Sequence, residues 1–383
     1  SIPSFIDAFF ETVSGFTTTG ASILTDVEAL SHGLLFWRSF THWVGGMGVL
    51  VFIMAVMEKT PERSVNILRA EMPGHNVDKL TPRASGTAKI LYYIYLALTV
   101  LETVLLLCGG MPLFDSIVHA LGTAGTGGFG IKADSIASYS HFCQWVITVF
   151  MLLFGVSFNM YYLLLIKRWR EVLKSNELKC YLGISLAAMI IVVLSIMPLY
   201  GSIADAVRLS AFQVSSIVTT TGYATADFDA WPSLAKAVLL ILMFFGGCMG
   251  STAGGLKMSR VTVLAQIARN DLRHALRPRE VSTVILNGRR VDAQGERQIL
   301  SYFALYIAVI GAVFLLISFE PFGIETNFSA TVSCVNNIGP GFGQVGPSLS
   351  YADYSAFSKL VLSFAMLLGR IDIYHQLLLQ SPQ

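Results

Sequence analysis

Seven long apolar runs constrain the fold of this chain more than any other feature. A helix needs roughly 20 apolar residues to cross the hydrocarbon core of a bilayer. The chain is 54% hydrophobic and 13% charged, and soluble domains carry about twice that charged fraction. We therefore predict an all-α polytopic membrane protein surrounded by lipid, with spans at 37–57, 90–108, 145–166, 181–200, 234–250, 299–319 and 356–369.

The basic residues are distributed unevenly between the linkers. They crowd the linkers after the first, third and fifth runs and are nearly absent elsewhere, Lys132 being the main exception. Cytoplasmic loops carry an excess of Lys and Arg. We therefore expect a multi-pass protein of the inner or plasma membrane, with the basic linkers in the cytoplasm and the other connections outside. The net charge of +2 gives no indication of nucleic-acid binding.

Four short segments end in a Gly-centred turn, at Gly20, Gly128, Gly222 and Gly339, which we call turns 1 to 4. The string Thr-Thr-Thr-Gly occurs in turns 1 and 3. The preceding segments, 7–17, 115–125, 206–218 and 326–336, would be roughly 17–20 Å long as helices, too short to cross a bilayer. We predict re-entrant half-helices, because irregular backbone at membrane depth is tolerated where it lines a cavity.

The pattern predicts one unit used four times: a helix, a re-entrant pore helix with its turn, and a second helix. Four pseudo-symmetric units would surround a central ion pore. The first unit lacks its opening helix, so either the natural N-terminus is missing or this repeat is incomplete. The expected division is repeats at 1–58, 90–168, 169–270 and 299–383, with a cytoplasmic linker at 59–89 and a basic one at 271–298. The second linker is equally consistent with partner docking, anionic lipid contact or a plain solvated loop.

The chemistry of the turns suits a monovalent cation. Glycine permits backbone conformations that aim carbonyls inward, and half-helices direct their partly negative C-terminal ends at the cavity. The turns contain no acidic ring and no Lys or Arg. We therefore expect a filter that favours K⁺ over Na⁺ and holds it by backbone carbonyls, formed by Thr18, Thr19, Gly20, Gly127, Gly128, Thr220, Thr221, Gly222, Asn337, Ile338 and Gly339.

These motifs resemble those of the Trk/Ktr/HKT potassium transporters, most closely the TrkH-type membrane subunit. The resemblance covers essentially the whole chain and rests on residues 17–22, 42–48, 68–74, 219–223 and 336–341. It implies potassium uptake by a homodimer in which each protomer has its own pore. It also implies a cytoplasmic ring of TrkA-type regulatory subunits that bind ATP/ADP or NAD(H).

Two features of the resemblance concern gating. Residues 246–257, the Gly-rich loop, correspond to an intramembrane loop that obstructs the pore, and five glycines in ten residues do not form a stable helix in lipid. Arg370 falls where relatives carry a pore-facing arginine, an electrostatic barrier to cations. The alternatives are a glycine packing face and a snorkelling Arg. The expected gate residues are Gly246, Gly247, Gly250, Gly254, Gly255, Lys257 and Arg370.

Other motifs in the sequence could be signs of a different function. Residues 125–130 match a dinucleotide fingerprint but follow no strand, and no catalytic or metal-ligand spacing is present. We therefore expect neither an enzyme nor an organic cofactor, and read His42 and the cysteines as packing residues. Glu102 lies within an apolar span, where an acid either pairs with a neighbouring helix or acts functionally. The alternative to K⁺ uptake is a Na⁺-permeable or Na⁺/H⁺-coupled transporter.

Overall fold

The computed structural model describes residues 2–48, 84–277 and 283–370. The end of the first predicted repeat, most of the linker 59–89 and the segment after Arg370 lie outside them. The regular elements of the described residues are helices and one antiparallel hairpin, β1 (Ile285–Leu286) and β2 (Arg289–Arg290). The helices are α1 (Phe5–Phe16), α2 (His32–Met47), α3 (Ala84–Cys108), α4 (Leu113–Ala124), α5 (His141–Phe154), α6 (Phe158–Leu165), α7 (Trp169–Lys174), α8 (Asn176–Ile196), α9 (Ile203–Val218), α10 (Ser233–Leu242), α11 (Met258–Leu276), α12 (Ala293–Ile317), α13 (Ile324–Val335) and α14 (Ala356–Arg370).

Among the described residues, three helices are each long and apolar enough to cross a membrane: Lys89–Cys108 within α3, α8 and α12. Each precedes a half-helix in the chain. Leu186 and Leu194 of α8 and Leu315 of α12 are exposed, and exposed apolar surface of this extent is unfavourable in water. These helices therefore present their outer faces to lipid.

The four segments that precede the turns are helical: α1, α4 and α13 have 12 residues each and α9 has 16. Each carries an acidic residue in its first turn, namely Asp7, Asp115, Asp205 and Glu325. A negative charge there is stabilised by the unsatisfied N–H groups of the helix start. The opposite ends of all four helices lead directly into the turns.

The sequence predicts a single span over 145–166, and the structure shows that its helix is broken. The chain bends by 91° between α5 and α6. Gly155 occupies the break, where a Cβ would lie 2.4 Å from Tyr181 Oη, and its carbonyl accepts a hydrogen bond from Cys248 N (2.8 Å). The broken helix thus satisfies its backbone through another segment of the chain, which periodicity alone does not reveal.

The span predicted over 234–250 also ends early. Its helix, α10, stops at Leu242, and the chain then forms the non-helical Gly-rich loop before α11. Among the cysteines, Cys143, Cys248 and Cys334 are buried as expected, whereas Cys108 at the end of α3 is exposed.

The interior around the turns is rich in polar side chains. Ser14, Thr221 and Asn337 are fully buried, together with many other hydroxyl and amide side chains near the turns. The half-helices alternate with other helices around this interior: α2 packs against α1 and α4, α5 packs against α4 and α9, and α14 packs against α13 and α1. Polar side chains are mostly exposed in soluble proteins, so their burial around the turns distinguishes this region from the apolar clusters between the helices.

Candidate ion pathway

The four turns share one backbone conformation. The residue two positions before each glycine has a left-handed φ: Thr18 (56°), Thr126 (53°), Thr220 (54°) and Asn337 (55°). The glycines follow with φ of 79°, 76°, 83° and 104°. Left-handed φ is uncommon for residues other than glycine, so four occurrences at one offset indicate a common structural requirement.

The hydrogen bonds of the turns repeat as well. The amide before each glycine donates back to its half-helix: Thr19 N to Ser14 O (2.9 Å), Gly127 N to Gly122 O (2.9 Å), Thr221 N to Ser216 O (2.8 Å) and Ile338 N to Ser333 O (2.9 Å). These turn amides therefore form their hydrogen bonds within their own repeat. The carbonyls of the same residues face neighbouring repeats.

Each turn contacts the next one around a closed circle. A Cβ added at Gly20 would lie 2.0 Å from Gly127 O, one at Gly128 would lie 1.9 Å from Thr221 O, one at Gly222 would lie 2.0 Å from Ile338 O, and one at Gly339 would lie 2.7 Å from Thr19 O. Every repeat therefore contributes one glycine and one carbonyl. We call the carbonyls of Thr19, Gly127, Thr221 and Ile338 the carbonyl ring.

The side chains that support the circle differ between repeats. The hydroxyls of Thr17 and Thr19 lie 2.8 Å apart, and those of Thr219 and Thr221 do the same. Asn337 donates from Nδ2 to Thr19 Oγ1 (2.9 Å) and to Met366 O (2.9 Å). Turns 1, 3 and 4 are therefore fixed by short polar side chains.

Turn 2 is supported by an aromatic ring. A Cβ at Gly127 would lie 2.2 Å from His42 Cγ, and one at Gly125 would lie 2.2 Å from His42 O. His42 donates from Nδ1 to Gly15 O (2.9 Å) and packs against Phe129. His42 therefore packs directly against turn 2, as expected. Its close approach leaves no room for side chains at Gly125 and Gly127, which accounts for the unusual glycine content of this turn.

The Gly-rich loop folds back on itself beside turns 3 and 4. Gly246 N donates to Leu256 O (2.9 Å), and a Cβ at Gly246 would lie 1.9 Å from Gly254 O. Gly254 N donates to Thr220 Oγ1 (2.7 Å). Gly250 and Gly255 have positive φ, and the Lys257 ammonium donates to Ala253 O. The loop thus contacts turns 3 and 4 through its backbone.

Arg370 connects the Gly-rich loop to the end of α2. Its Nη1 donates to Thr252 O (2.8 Å), and its Nη2 donates to Gly45 O (2.5 Å) and Gly46 O (3.0 Å) at the end of α2. The preceding Gly369 lies against the end of α13, since a Cβ there would be 1.9 Å from Val335 O. The partly buried guanidinium is therefore held by backbone carbonyls of two separate segments.

A buried ion pair, which the sequence analysis did not identify, lies between turns 1 and 2. Arg38 Nη2 and Glu11 Oε1 are 2.8 Å apart, with both side chains less than a tenth exposed. The same carboxylate accepts hydrogen bonds from Ser22 Oγ (2.9 Å) and Ile23 N (3.0 Å). The Arg38 guanidinium also lies 4.0 Å from the centre of the Phe129 ring. The pair therefore fixes the chain after turn 1 to the chain after turn 2.

Two further positions could have been anticipated from the repeat. Glu11 aligns with Gln213 nine residues before their glycines, so Glu11 occupies an equivalent site in the pseudo-symmetry. Thr126 stands at the offset of Thr18, Thr220 and Asn337 and has the same φ. Both positions could have been found by aligning the four repeats on their glycines and comparing every residue of each turn at the same offset.

A profile of the TrkH family, described as "Cation transport protein", matches residues 1–383. The chain belongs to the TrkH family. It is 34% identical to the Trk system potassium uptake protein TrkG of Escherichia coli (strain K12) over 99% of this chain and 78% of that protein. It is also 34% identical to the Trk system potassium uptake protein TrkH of Salmonella typhimurium (strain LT2), over 98% and 78% of the two chains.

The fold agrees with that of a solved TrkH structure. The crystal structure of the potassium transporter TrkH from Vibrio parahaemolyticus superposes with a TM-score of 0.87 at 32% identity, covering 99% of this chain and 79% of that one. The predicted family and the predicted helical, membrane-type fold are thereby confirmed. TrkH-family members are transporters and not enzymes, in accord with the expectation from the sequence.

Glu102 occupies a separate buried position in this TrkH-family fold. It is fully buried in α3, beside Thr123 of the packed half-helix α4. Within the described residues its carboxylate oxygens have no hydrogen-bond partner of good geometry. It therefore forms no ion pair with the parts of the neighbouring helices that the structure describes.

Proposed function

We propose that this chain takes up potassium across the cell membrane, as the membrane subunit of a Trk-type system. The observation that carries the proposal is the closed circle of turns, in which the carbonyls of Thr19, Gly127, Thr221 and Ile338 each meet the glycine of another repeat. Rings of backbone carbonyls replace the hydration shell of a permeating K⁺. The filter consists of Thr18, Thr19, Gly20, Gly127, Gly128, Thr220, Thr221, Gly222, Asn337, Ile338 and Gly339.

The electrostatics of the proposed filter favour a monovalent cation over an anion. Four half-helix C-termini converge on the turns, and each carries roughly half a negative charge. The turns contain no basic side chain. A K⁺ ion would gain favourable interaction from both sources without meeting a carboxylate that would hold it too tightly to leave.

The proposed gate is the Gly-rich loop together with Arg370. The loop is bonded to Thr220 of turn 3, and Arg370 bridges the loop to α2. In this position the loop narrows the pathway below the filter and the guanidinium adds a positive charge that opposes cation occupancy. Movement of either element would open the pathway. The gate residues are Gly246, Gly247, Gly250, Gly254, Gly255, Lys257 and Arg370.

The proposed assembly follows the family resemblance. The four repeats keep the division given above, with the turns opening outside and the basic linkers in the cytoplasm. Two copies would form a dimer in the inner or plasma membrane, each with its own pore. A TrkA-type regulatory ring that binds ATP/ADP or NAD(H) would act on the gate from the cytoplasm.

Uptake of ⁸⁶Rb⁺ into liposomes that hold the purified protein tests the proposal. Gly222→Ser is the test variant, because a Cβ there would lie 2.0 Å from Ile338 O. Gly311→Ser in α12 is the matched control, since a Cβ there would meet no atom within 4 Å. We expect K⁺ to compete more strongly than Na⁺ in the wild type and in Gly311→Ser, and the preference to relax in Gly222→Ser.

Two outcomes would contradict the proposal. Uptake indifferent to K⁺ and to Gly222→Ser would mean that the turns are packing elements. Equal competition by Na⁺ and K⁺ in the wild type would favour a Na⁺-permeable transporter instead.

A further inference from the structure

The Gly-rich loop is anchored by an acidic side chain outside the pathway. Met249 N donates to Glu177 Oε1 at 2.6 Å. Glu177 is only 4% exposed and lies in the first turn of α8, where the helix start favours a negative charge. A hydrogen bond to a carboxylate is among the stronger ones in proteins. The bond therefore fixes the middle of the loop to the start of a spanning helix.

The start of α8 is held by the hairpin. Asn287 and Gly288 connect β1 and β2 with φ of 49° and 80°, the conformation of a tight two-residue turn. The Asn287 side-chain oxygen Oδ1 accepts from Ser175 Oγ (3.0 Å), Asn176 N (3.1 Å) and Glu177 N (3.5 Å). An exposed hairpin tip thus caps the helix that carries Glu177.

The hairpin is also bonded to the helix that leaves the loop. Gln266 of α11 donates from Nε2 to Ile285 O (3.0 Å) and accepts from Ile285 N (3.0 Å). Since α11 begins at Met258, directly after the loop, the contacts form a closed path. The path runs from the loop through α11 to the hairpin, then to the start of α8, and through Glu177 back to the loop.

We propose that Glu177 is a positioning residue for the Gly-rich loop, and that Asn287 sets the position of Glu177. This inference rests on the proposed gating role of the loop. A displacement of the hairpin would therefore reach the loop through Glu177, whose carboxylate is bonded to Met249 of the loop and not to a turn. The hairpin is the surface at which the loop can be moved from outside the pathway.

The test uses Cys248, a free and fully buried thiol in the loop beside Met249. Cys108, Cys143, Cys180 and Cys334 are replaced by Ser, and the labelling rate of Cys248 with N-ethylmaleimide is measured in liposomes. A companion protein keeps only Cys334, which is fully buried in α13. We expect Glu177→Ala and Asn287→Ala to accelerate the labelling of Cys248 about tenfold and to leave the labelling of Cys334 unchanged. A tenfold change corresponds to the loss of one hydrogen bond to the charged Glu177 side chain.

Conservative and remote variants provide the controls. Glu177→Gln and Asn287→Asp keep an oxygen acceptor and should restore slow labelling. Glu171→Ala removes an exposed carboxylate paired with Arg168 in the preceding helix α7 and should have no effect. Unchanged Cys248 labelling in both Ala variants, or a parallel rise at Cys334, would overturn the proposal.

Flux through the same liposomes separates this inference from the proposed function. We expect ⁸⁶Rb⁺ uptake to rise in Glu177→Ala while the preference for K⁺ over Na⁺ stays at its wild-type value. A rise in Cys248 labelling without a change in flux would support the positioning role and contradict gating by the loop. An absence of K⁺-competed uptake in the wild type would contradict the proposed function and leave the labelling result to decide the role of Glu177.

Discussion

The turns and the Gly-rich loop are both glycine-dependent, yet they are stabilised in different ways. In each turn, the amide before the glycine donates a hydrogen bond to the carbonyl five residues earlier in its own half-helix, and this bond occurs in all four repeats. The loop relies on distant segments: Gly155 and Phe158 at the α5–α6 break, Glu177, and Arg370. The hydrogen bonds of the turns join residues close in the sequence, so they recur wherever the sequence repeats. The hydrogen bonds of the loop join distant segments, so they form only in the complete fold.

If the loop forms the proposed gate, this contrast separates a fixed element from a movable one. Removing a bond within a turn would disturb the closed circle of repeats, because each glycine contacts the carbonyl of the next turn. Removing one of the bonds between the loop and Gly155, Glu177 or Arg370 would leave the circle of turns intact and change the position of the loop. Selectivity should therefore depend on the turns and opening on the contacts of the loop.

The largest expected effect breaks the circle. Gly20→Ala introduces a Cβ 2.0 Å from Gly127 O at a φ of 79°. The left-handed backbone alone costs about 1–3 kcal/mol for a side-chain-bearing residue, and the collision adds to it. We expect the K⁺ over Na⁺ preference in ⁸⁶Rb⁺ competition to fall about tenfold or more. Gly33→Ala, where a Cβ meets no atom within 4 Å, should behave as the wild type.

A smaller effect is expected from the contacts of the loop. Arg370→Ala removes three hydrogen bonds to carbonyls of the loop and α2 and a positive charge. We expect uptake to rise about tenfold and selectivity to stay unchanged. A tenfold rise corresponds to the loss of one or more charge-assisted hydrogen bonds. Arg370→Lys keeps the charge but cannot bridge the same carbonyls, so its flux should lie between the two. A loss of selectivity in Arg370→Ala would contradict the separation of turns and loop.

The buried pair behind turns 1 and 2 should affect stability. Arg38→Met leaves Glu11 buried without its cationic partner, and breaking a buried pair costs about 3–5 kcal/mol. The exposed pair Arg168–Glu171 serves as the control, since surface pairs contribute about 1 kcal/mol or less. We expect Arg38→Met to lower the thermal denaturation midpoint in detergent clearly more than Glu171→Gln does. Equal midpoints would show that the pair does not support the turns.

The smallest effect is expected at Glu102. Glu102→Gln preserves the shape of the side chain in its buried site, so uptake should stay within about twofold of the wild type and show no new dependence on pH. Flux measured between mildly acidic and neutral pH checks this. A strong loss of uptake, or of its pH dependence, would instead favour proton-coupled transport through Glu102.

Much of this protein could be predicted from the sequence. The apolar runs determined the membrane class, and the four glycines with their short preceding segments determined the half-helices and turns. These features depend on local properties: hydrophobic length, the conformational freedom of glycine, and bonds between residues five apart. The same locality explains why the family motifs could be recognised without a structure.

Other features were decided by the tertiary structure. The break at Gly155, the Glu11–Arg38 pair, the bond from Met249 to Glu177 and the bridge from Arg370 to α2 all join residues far apart in the chain. In an apolar environment an unsatisfied backbone or charged group is costly, so each such group must find a partner. Which partner it finds depends on the packing of helices from different repeats, and hydrophobic periodicity contains no information about that pairing.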